Sequence, residues 1–192
     1  MSATVLYMSM SLDGFVAGPN ETRANGLGDG GDRLHAWGAL EPRDRQHAGD
    51  RAVIDDFMTT GAVLAGRGTF EPADGWGGDH HDGVQIFILS RHAAPAEFAH
   101  WPNVHYVDDL EHAVTEAKKA AGDKNVMVHG AGLTQRLLAA GLLDELQIHL
   151  VPVLLGQGRR LFDDLGPEHV ELTPAEVVQG HEATHLRYRV VR

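Results

Sequence analysis

Short apolar runs alternate with longer amphipathic stretches through most of the chain. Val5 to Met10 is a β-forming run bounded by Asp13-Gly14, which reads as a first, central strand. Residues 19 to 49 interrupt the rhythm: Gly26, Gly28, Gly30 and Gly31 crowd a charged stretch with room for one short helix near Leu34 to Trp37. So long a connection is unusual in a compact domain and reads as a lid or binding surface. From Asp50 to Thr60, Val53, Ile54, Phe57 and Met58 recur at helical spacing, and Gly61 suits the C-terminal cap. Ala62 to Ala65, Val84 to Leu89, Val104 to Val107 and Asn125 to Val128 read as further short strands. Between them, Asp109 to Ala121 is a helix with an apolar stripe and an acidic cap, and Leu133 to Ala140 is a second, closed by Gly141.

Strands apolar on both faces, alternating with helices, predict an α/β domain with a mostly parallel sheet covered on both sides. After Asp144 the pattern changes. Glu145 to Leu155, Val170 to Val177 and Thr184 to Val191 read as strands without a long helix between them, hence as an antiparallel portion at the sheet edge. The composition does not shift there, so residues 1–192 read as a single domain.

Composition narrows the functional classes. A net charge of -11, with scattered basic residues, argues against a nucleic-acid surface, which needs clustered Lys and Arg. No apolar run approaches the ~20 residues of a membrane span. The first residues lack the pattern of a secretory signal, and with no cysteine a cytoplasmic location without disulfides is the expectation.

Open α/β sheets bind ligands beyond the carboxyl ends of their strands, and three features fall there. Gly66-Arg67-Gly68-Thr69 offers close backbone approach, a guanidinium and a hydroxyl, although a plain strand-to-helix turn explains it equally. Ser90-Arg91 follows Ile86 to Leu89 where a ribose-binding acid is usual; a hydroxyl and a guanidinium suit a 2′-phosphate and favour NADPH over NADH, although a plain surface Arg explains the pair as well. His129-Gly130-Ala131-Gly132 puts small residues before an apolar helix, where a pyrophosphate could meet free amides.

The chain also resembles the bacterial dihydrofolate reductase-like family that includes the reductase domain of the riboflavin-biosynthesis deaminase/reductase. The matching stretches are Met10 to Gly18, Val63 to Glu71, Ile88 to Arg91, Val128 to Gly132, Leu138 to Leu146 and Val151 to Gly158. The resemblance implies that Gly66, Arg67, Gly68 and Thr69 flank the cofactor phosphates together with Gly130, Ala131 and Gly132. Ser90 and Arg91 would meet the adenosine end, and Val16, Ala17 and Gly18 the nicotinamide. It implies a homodimer and an NADPH-dependent oxidoreductase that passes hydride to a C=N or C=O carbon of a small substrate. Dihydrofolate-like reduction, pyrimidine reduction on another metabolite, and a non-catalytic flavin- or nucleotide-binding role are the alternatives. Ala131 stands where a third consecutive glycine is common in the family. With no cysteine among the 192 residues, the family's separate zinc deaminase domain, with its Cys ligands, is not expected.

Dihydrofolate reductases carry an acid on the helix after the first loop, where this chain has Asp55 and Asp56; Asp56 aligns better as the proton donor, with a solvated or capping role as the alternative for both. Asp13, at the end of the first strand, is a second candidate, with turn organisation as its structural alternative. Trp37 and Trp76 could stack on a flat heterocycle or anchor their loops. The histidines at 80 and 81, flanked by Asp79 and Asp82, lack the separated spacing of a zinc site, and no metal is expected.

Overall fold

The computed structural model describes residues 2–38, 47–163, 165–166 and 169–191. Among these the elements run β1 (Thr4–Ser11), β2 (Phe15–Ala17), α1 (Ala48–Phe57), β3 (Ala62–Gly66), α2 (Arg67–Phe70), β4 (Gln85–Leu89) and β5 (Val104–Val107). They continue with α3 (Leu110–Ala121), β6 (Val126–His129), α4 (Ala131–Ala139), β7 (Glu145–Val151), β8 (Arg159–Arg160), β9 (Leu172–Gln179) and β10 (Thr184–Val190). Short 3-10 turns at Gly31–His35 and Asp74–Gly78 punctuate the loops. The middle of the long connection, 39–46, lies outside the described residues.

An eight-stranded sheet has the order β5-β4-β3-β6-β1-β7-β10-β9. The pairs from β5 to β7 are parallel, and β10 and β9 are antiparallel. This is the mixed sheet that the change of pattern after Asp144 predicts, with β1 well inside it. Alternation along the strands divides the core. Leu6, Leu64, Val128 and Leu146 face α3 and α4, packing on Ala113, Ala117, Leu133 and Leu137. Val5, Val63, Met127 and Ile88 face the other way, against Phe57, Phe70 and Phe98. Each fully buried side chain of this size contributes roughly 1.5–3 kcal/mol, which holds both helical layers on one sheet.

Local chemistry sets the ends. Asp109 caps α3 by accepting the His112 amide at 2.7 Å. β7 stops at Val151, short of the expected Leu155, because Pro152 has no N–H for the ladder. The chain then runs beside the end of β1, where the Leu12 amide donates to the Val153 carbonyl at 2.9 Å. α4 begins at Ala131 rather than Leu133, since Gly130 turns the chain at φ +102° and serves as the N-cap. The sequence reading missed β2 and β8, which pair as a separate two-stranded ribbon; strands this short leave almost no periodicity. No helix among the described residues is long and apolar enough to cross a membrane.

Candidate active site

Residues of β1, β6 and β7, with Gly68 and Thr69 of α2 just after β3, border a cavity of about 380 Å3. One wall is built for close backbone approach. A Cβ on Gly130 would lie 2.3 Å from Thr69 Oγ1, so neither a side chain nor an ordinary φ is tolerated there. No side chain caps α4, which leaves first-turn amides available to an anion. Ala131 is buried and lines the cavity, so its methyl is accommodated there. At Gly132 an added Cβ would meet nothing within 4 Å, so the helix start is open on that side.

Of the residues singled out for a cofactor, Val16, Ala17, Gly68, Thr69, Gly130 and Ala131 converge on this cavity. Gly18 follows Ala17 and packs closely on backbone: a Cβ there would fall 2.0 Å from the Asp29 carbonyl oxygen. Gly66 is the N-cap of α2. Arg67 turns away, held by Glu71 through two bonds of 2.7 and 3.1 Å, and borders an outer groove with Arg23 and Glu97. At the end of β4, Ser90 folds back on its own loop, donating to the His92 carbonyl at 2.7 Å and accepting the His92 amide at 3.0 Å. Arg91 is exposed beside it.

Neither candidate acid lines the cavity. Asp13 organises its turn: it accepts the Ser11 hydroxyl at 2.6 Å and the amides of Leu155 and Gly156 at 3.1 and 2.7 Å. The Ser11 hydrogen bond and these amides hold its carboxyl below the usual range, against a smaller desolvation effect. Asp56 accepts the Tyr7 hydroxyl at 2.9 Å and lies 3.4 Å from Arg187 Nη1. Tyr7 does line the cavity, and burial, then the Asp56 charge, push its hydroxyl far above the ordinary phenol value. Asp56 therefore reaches the cavity only through Tyr7.

Tryptophans and histidines complete the walls, His149 among them without a mark in the linear pattern. Trp37 lines the cavity, donates to Ser9 Oγ at 2.9 Å, and lies with its ring 4.5 Å from that of His149. Trp76 packs on Phe70 and His80 with ring separations of 5.3 and 4.8 Å. Both tryptophans are thus cavity wall and loop anchor at once. His80 Nε2 meets His129 Nε2 at 3.2 Å, and His80 Nδ1 meets His81 Nδ1 at 2.8 Å. Burial, reinforced by the neighbouring rings, lowers His80 to about 4 and His129 to about 3, so both are neutral at pH 7. No group of three or more His, Cys, Asp or Glu among the described residues is arranged to hold a metal ion.

The family model for the RibD C-terminal domain matches residues 3–186. This chain belongs to the RibD C-terminal domain family. Among curated proteins it is similar to two of Bacillus subtilis (strain 168). The uncharacterized protein YyaP is 25% identical over 84% of this chain and 80% of its own length. The uncharacterized protein YwjB is 25% identical over 96% of each. Among solved structures, a protein named for riboflavin biosynthesis from Shewanella sp. PV-4 superposes with TM-score 0.72 at 22% identity, covering 99% of both chains. A pyrimidine reductase-like protein from Corynebacterium diphtheriae gives 0.66 at 13% identity, covering all of this chain and 92% of its own. RibD of Acinetobacter baumannii gives 0.60 at 19%, with this chain spanning 59% of it. The RibD C-terminal fold expected from the motifs is therefore the observed one, and the cavity sits at its strand ends.

Proposed function

We propose that this RibD C-terminal domain protein is an NADPH-dependent reductase that passes hydride to an electron-poor C=N or C=O carbon of a small heterocycle. The observation that carries the reading is the uncapped α4 N-terminus, open beside Gly132, placed against an apolar, aromatic-walled cavity. Free amides and glycine suit a pyrophosphate, and the cavity suits two flat rings in contact. Gly66, Gly68 and Thr69 would flank the phosphates with Gly130, Ala131 and Gly132. Val16, Ala17 and Gly18 would border the nicotinamide. Ser90 and Arg91 would meet the adenosine end, where the exposed Arg91 is the group suited to a 2′-phosphate.

When bound, NADPH supplies the hydride. The chain's own residues hold the rings, exclude water and fix polarity. Tyr7 stays a protonated hydroxyl anchored on Asp56, and Asp13 braces the 155–156 backbone rather than touching the reacting atoms. The name of the Corynebacterium relative supports pyrimidines as the first substrates to screen. A homodimer belongs to the same reading. It is supported by edge strand β9, whose side chains are largely exposed, Val177 by 65%.

Parallel fluorescence titrations with NADPH, NADH and FMN test the assignment. Saturable binding with preference for NADPH, followed by NADPH oxidation in a heterocycle screen, is expected. No NADPH binding, or preference for FMN, overturns the cofactor and leaves the family.

A further inference from the structure

His149 of β7 and His185 of β10 sit directly opposite each other in the antiparallel ladder, with their Nδ1 atoms 3.0 Å apart. Beyond His185, its Nε2 lies 2.8 Å from Oδ1 of Asp50, in the first turn of α1. The other carboxylate oxygen of Asp50 accepts the His181 amide at 3.0 Å. All three side chains are buried, Asp50 to 1%, His185 to 2% and His149 to 4% exposure. Only His149 of the three lines the cavity. Its Nε2 has no hydrogen-bond partner among the described residues, and it is not among the polar atoms sealed from solvent. That nitrogen opens on the cavity.

Proton counting fixes what it presents. A carboxylate only accepts, so His185 carries its proton on Nε2. A neutral imidazole has one N–H, so His185 Nδ1 is bare and accepts from His149 Nδ1. The proton of His149 is thereby committed, and its Nε2 shows a lone pair. Burial, then the rings of His185, His35 and His129, hold His149 well below its ordinary value. Burial lowers His185 as well, although Asp50 opposes it. Both rings are neutral at pH 7, and Trp37 packs against each, at 4.5 and 4.7 Å between ring centres.

We propose that His149 Nε2 is a fixed hydrogen-bond acceptor that selects a ligand bearing an N–H or O–H donor, and that Asp50 sets its polarity from outside the cavity through His185. This deepens the reductase reading and rests on it for that ligand being the substrate. Pyrimidine- and pterin-type rings carry such donors on ring and amino nitrogens. A ligand showing a lone pair there would oppose acceptor to acceptor and lose on the order of ten- to a hundredfold in affinity.

Asp50→Asn isolates the relay. The His181 amide demands an oxygen opposite it, so the new NH2 group must take the place of Oδ1 and face His185 Nε2. His185 then accepts at Nε2 and donates from Nδ1. His149 accepts at Nδ1 and carries its proton on Nε2. The cavity's acceptor becomes a donor although no lining residue has changed.

Long-range 1H–15N NMR of the free protein at pH 7.5 reads this directly, with His149→Gln to assign the signals. We expect a bare Nε2 and a protonated Nδ1 on His149, exchanged in Asp50→Asn. A protonated Nε2 in the wild-type protein overturns the proposal, as does an unchanged tautomer in a folded Asp50→Asn protein. If that variant does not fold, the wild-type spectrum decides the tautomer. Titration with uracil and with 1,3-dimethyluracil tests selection: only uracil should shift the His149 Nε2 resonance. Equal responses, or none from uracil, overturn the recognition role. Neither readout uses NADPH or turnover, so failure here and failure of the reductase reading are told apart.

Discussion

The Tyr7 hydroxyl donates to Asp56 at 2.9 Å, from a phenol that is 3% exposed to a carboxylate whose side chain is 41% exposed. The pair links the cavity wall to the outside of the domain. Removing Asp56 strands a buried hydroxyl, whereas Arg187 keeps its 2.7 Å bond to Glu145.

Asp56→Ala should therefore cost about 1–2 kcal/mol in urea denaturation, toward the low end because the carboxylate is partly solvated. Once a substrate is in hand, Asp56→Asn and Tyr7→Phe should lower kcat/KM by similar factors, and the double variant should lose little more. Independent, multiplying losses would show that Asp56 acts on substrate without Tyr7.

The cofactor's 2′-phosphate distinguishes two arginines. Arg67 is committed to Glu71, while Arg91 has no ion pair among the described residues. Arg91→Ala should weaken NADPH roughly tenfold and leave NADH nearly unchanged, as expected for one lost charge-assisted contact. Arg67→Ala should scarcely alter the ratio of the two affinities. Equal weakening of both cofactors by Arg91→Ala would remove the phosphate contact from the proposal.

How far the sequence could be read follows from the range of each signal. The parallel strands and α3 were legible because their apolar spacing and the Asp109 cap are local. Gly130 and Thr69 could be marked because glycine at a strand end has a local reason. Tyr7 with Asp56, and Asp50 with His185 and His149, could not. These partners are far apart in sequence, and only strand register and the docking of α1 bring them together. A histidine in an apolar strand such as Ile148-His149-Leu150 was the one available hint, and alone it reads as a core residue. His80 was weighed with its sequence neighbours, yet one of its two ring-nitrogen contacts is with His129 on β6.

Acid should destabilise the protein earlier than carboxylate titration would. His80 and His129 have folded values of about 4 and about 3, below the unfolded value of about 6.5. The unfolded chain thus binds more protons as pH falls through 6.5, and stability declines from there until the folded values are reached. Each group contributes about 1.4 kcal/mol per pH unit in that window, with the two rings titrating as a pair. Urea midpoints at pH 7.5, 6.5 and 5.5 should fall over the last interval, and fall less in His80→Gln. A flat profile between 6.5 and 5.5 would contradict the neutral, buried assignment.

Gly130 and Gly132 give the sharpest separation of folding from binding. At Gly130 a methyl would collide with Thr69 Oγ1 and sit at φ +102°, so Gly130→Ala should cost about 1–3 kcal/mol and abolish NADPH binding together. Gly132 lies within α4 with nothing in reach of its added Cβ. There, alanine should stabilise the helix by roughly 0.5–1 kcal/mol through its better propensity. Yet the open space beside Gly132 is where a pyrophosphate would approach the first-turn amides. Gly132→Ala should therefore raise Tm slightly while weakening NADPH severalfold. Thermal melts and NADPH titrations on the same samples decide it: a variant that melts higher and binds as tightly as the wild type would move the phosphates away from the start of α4.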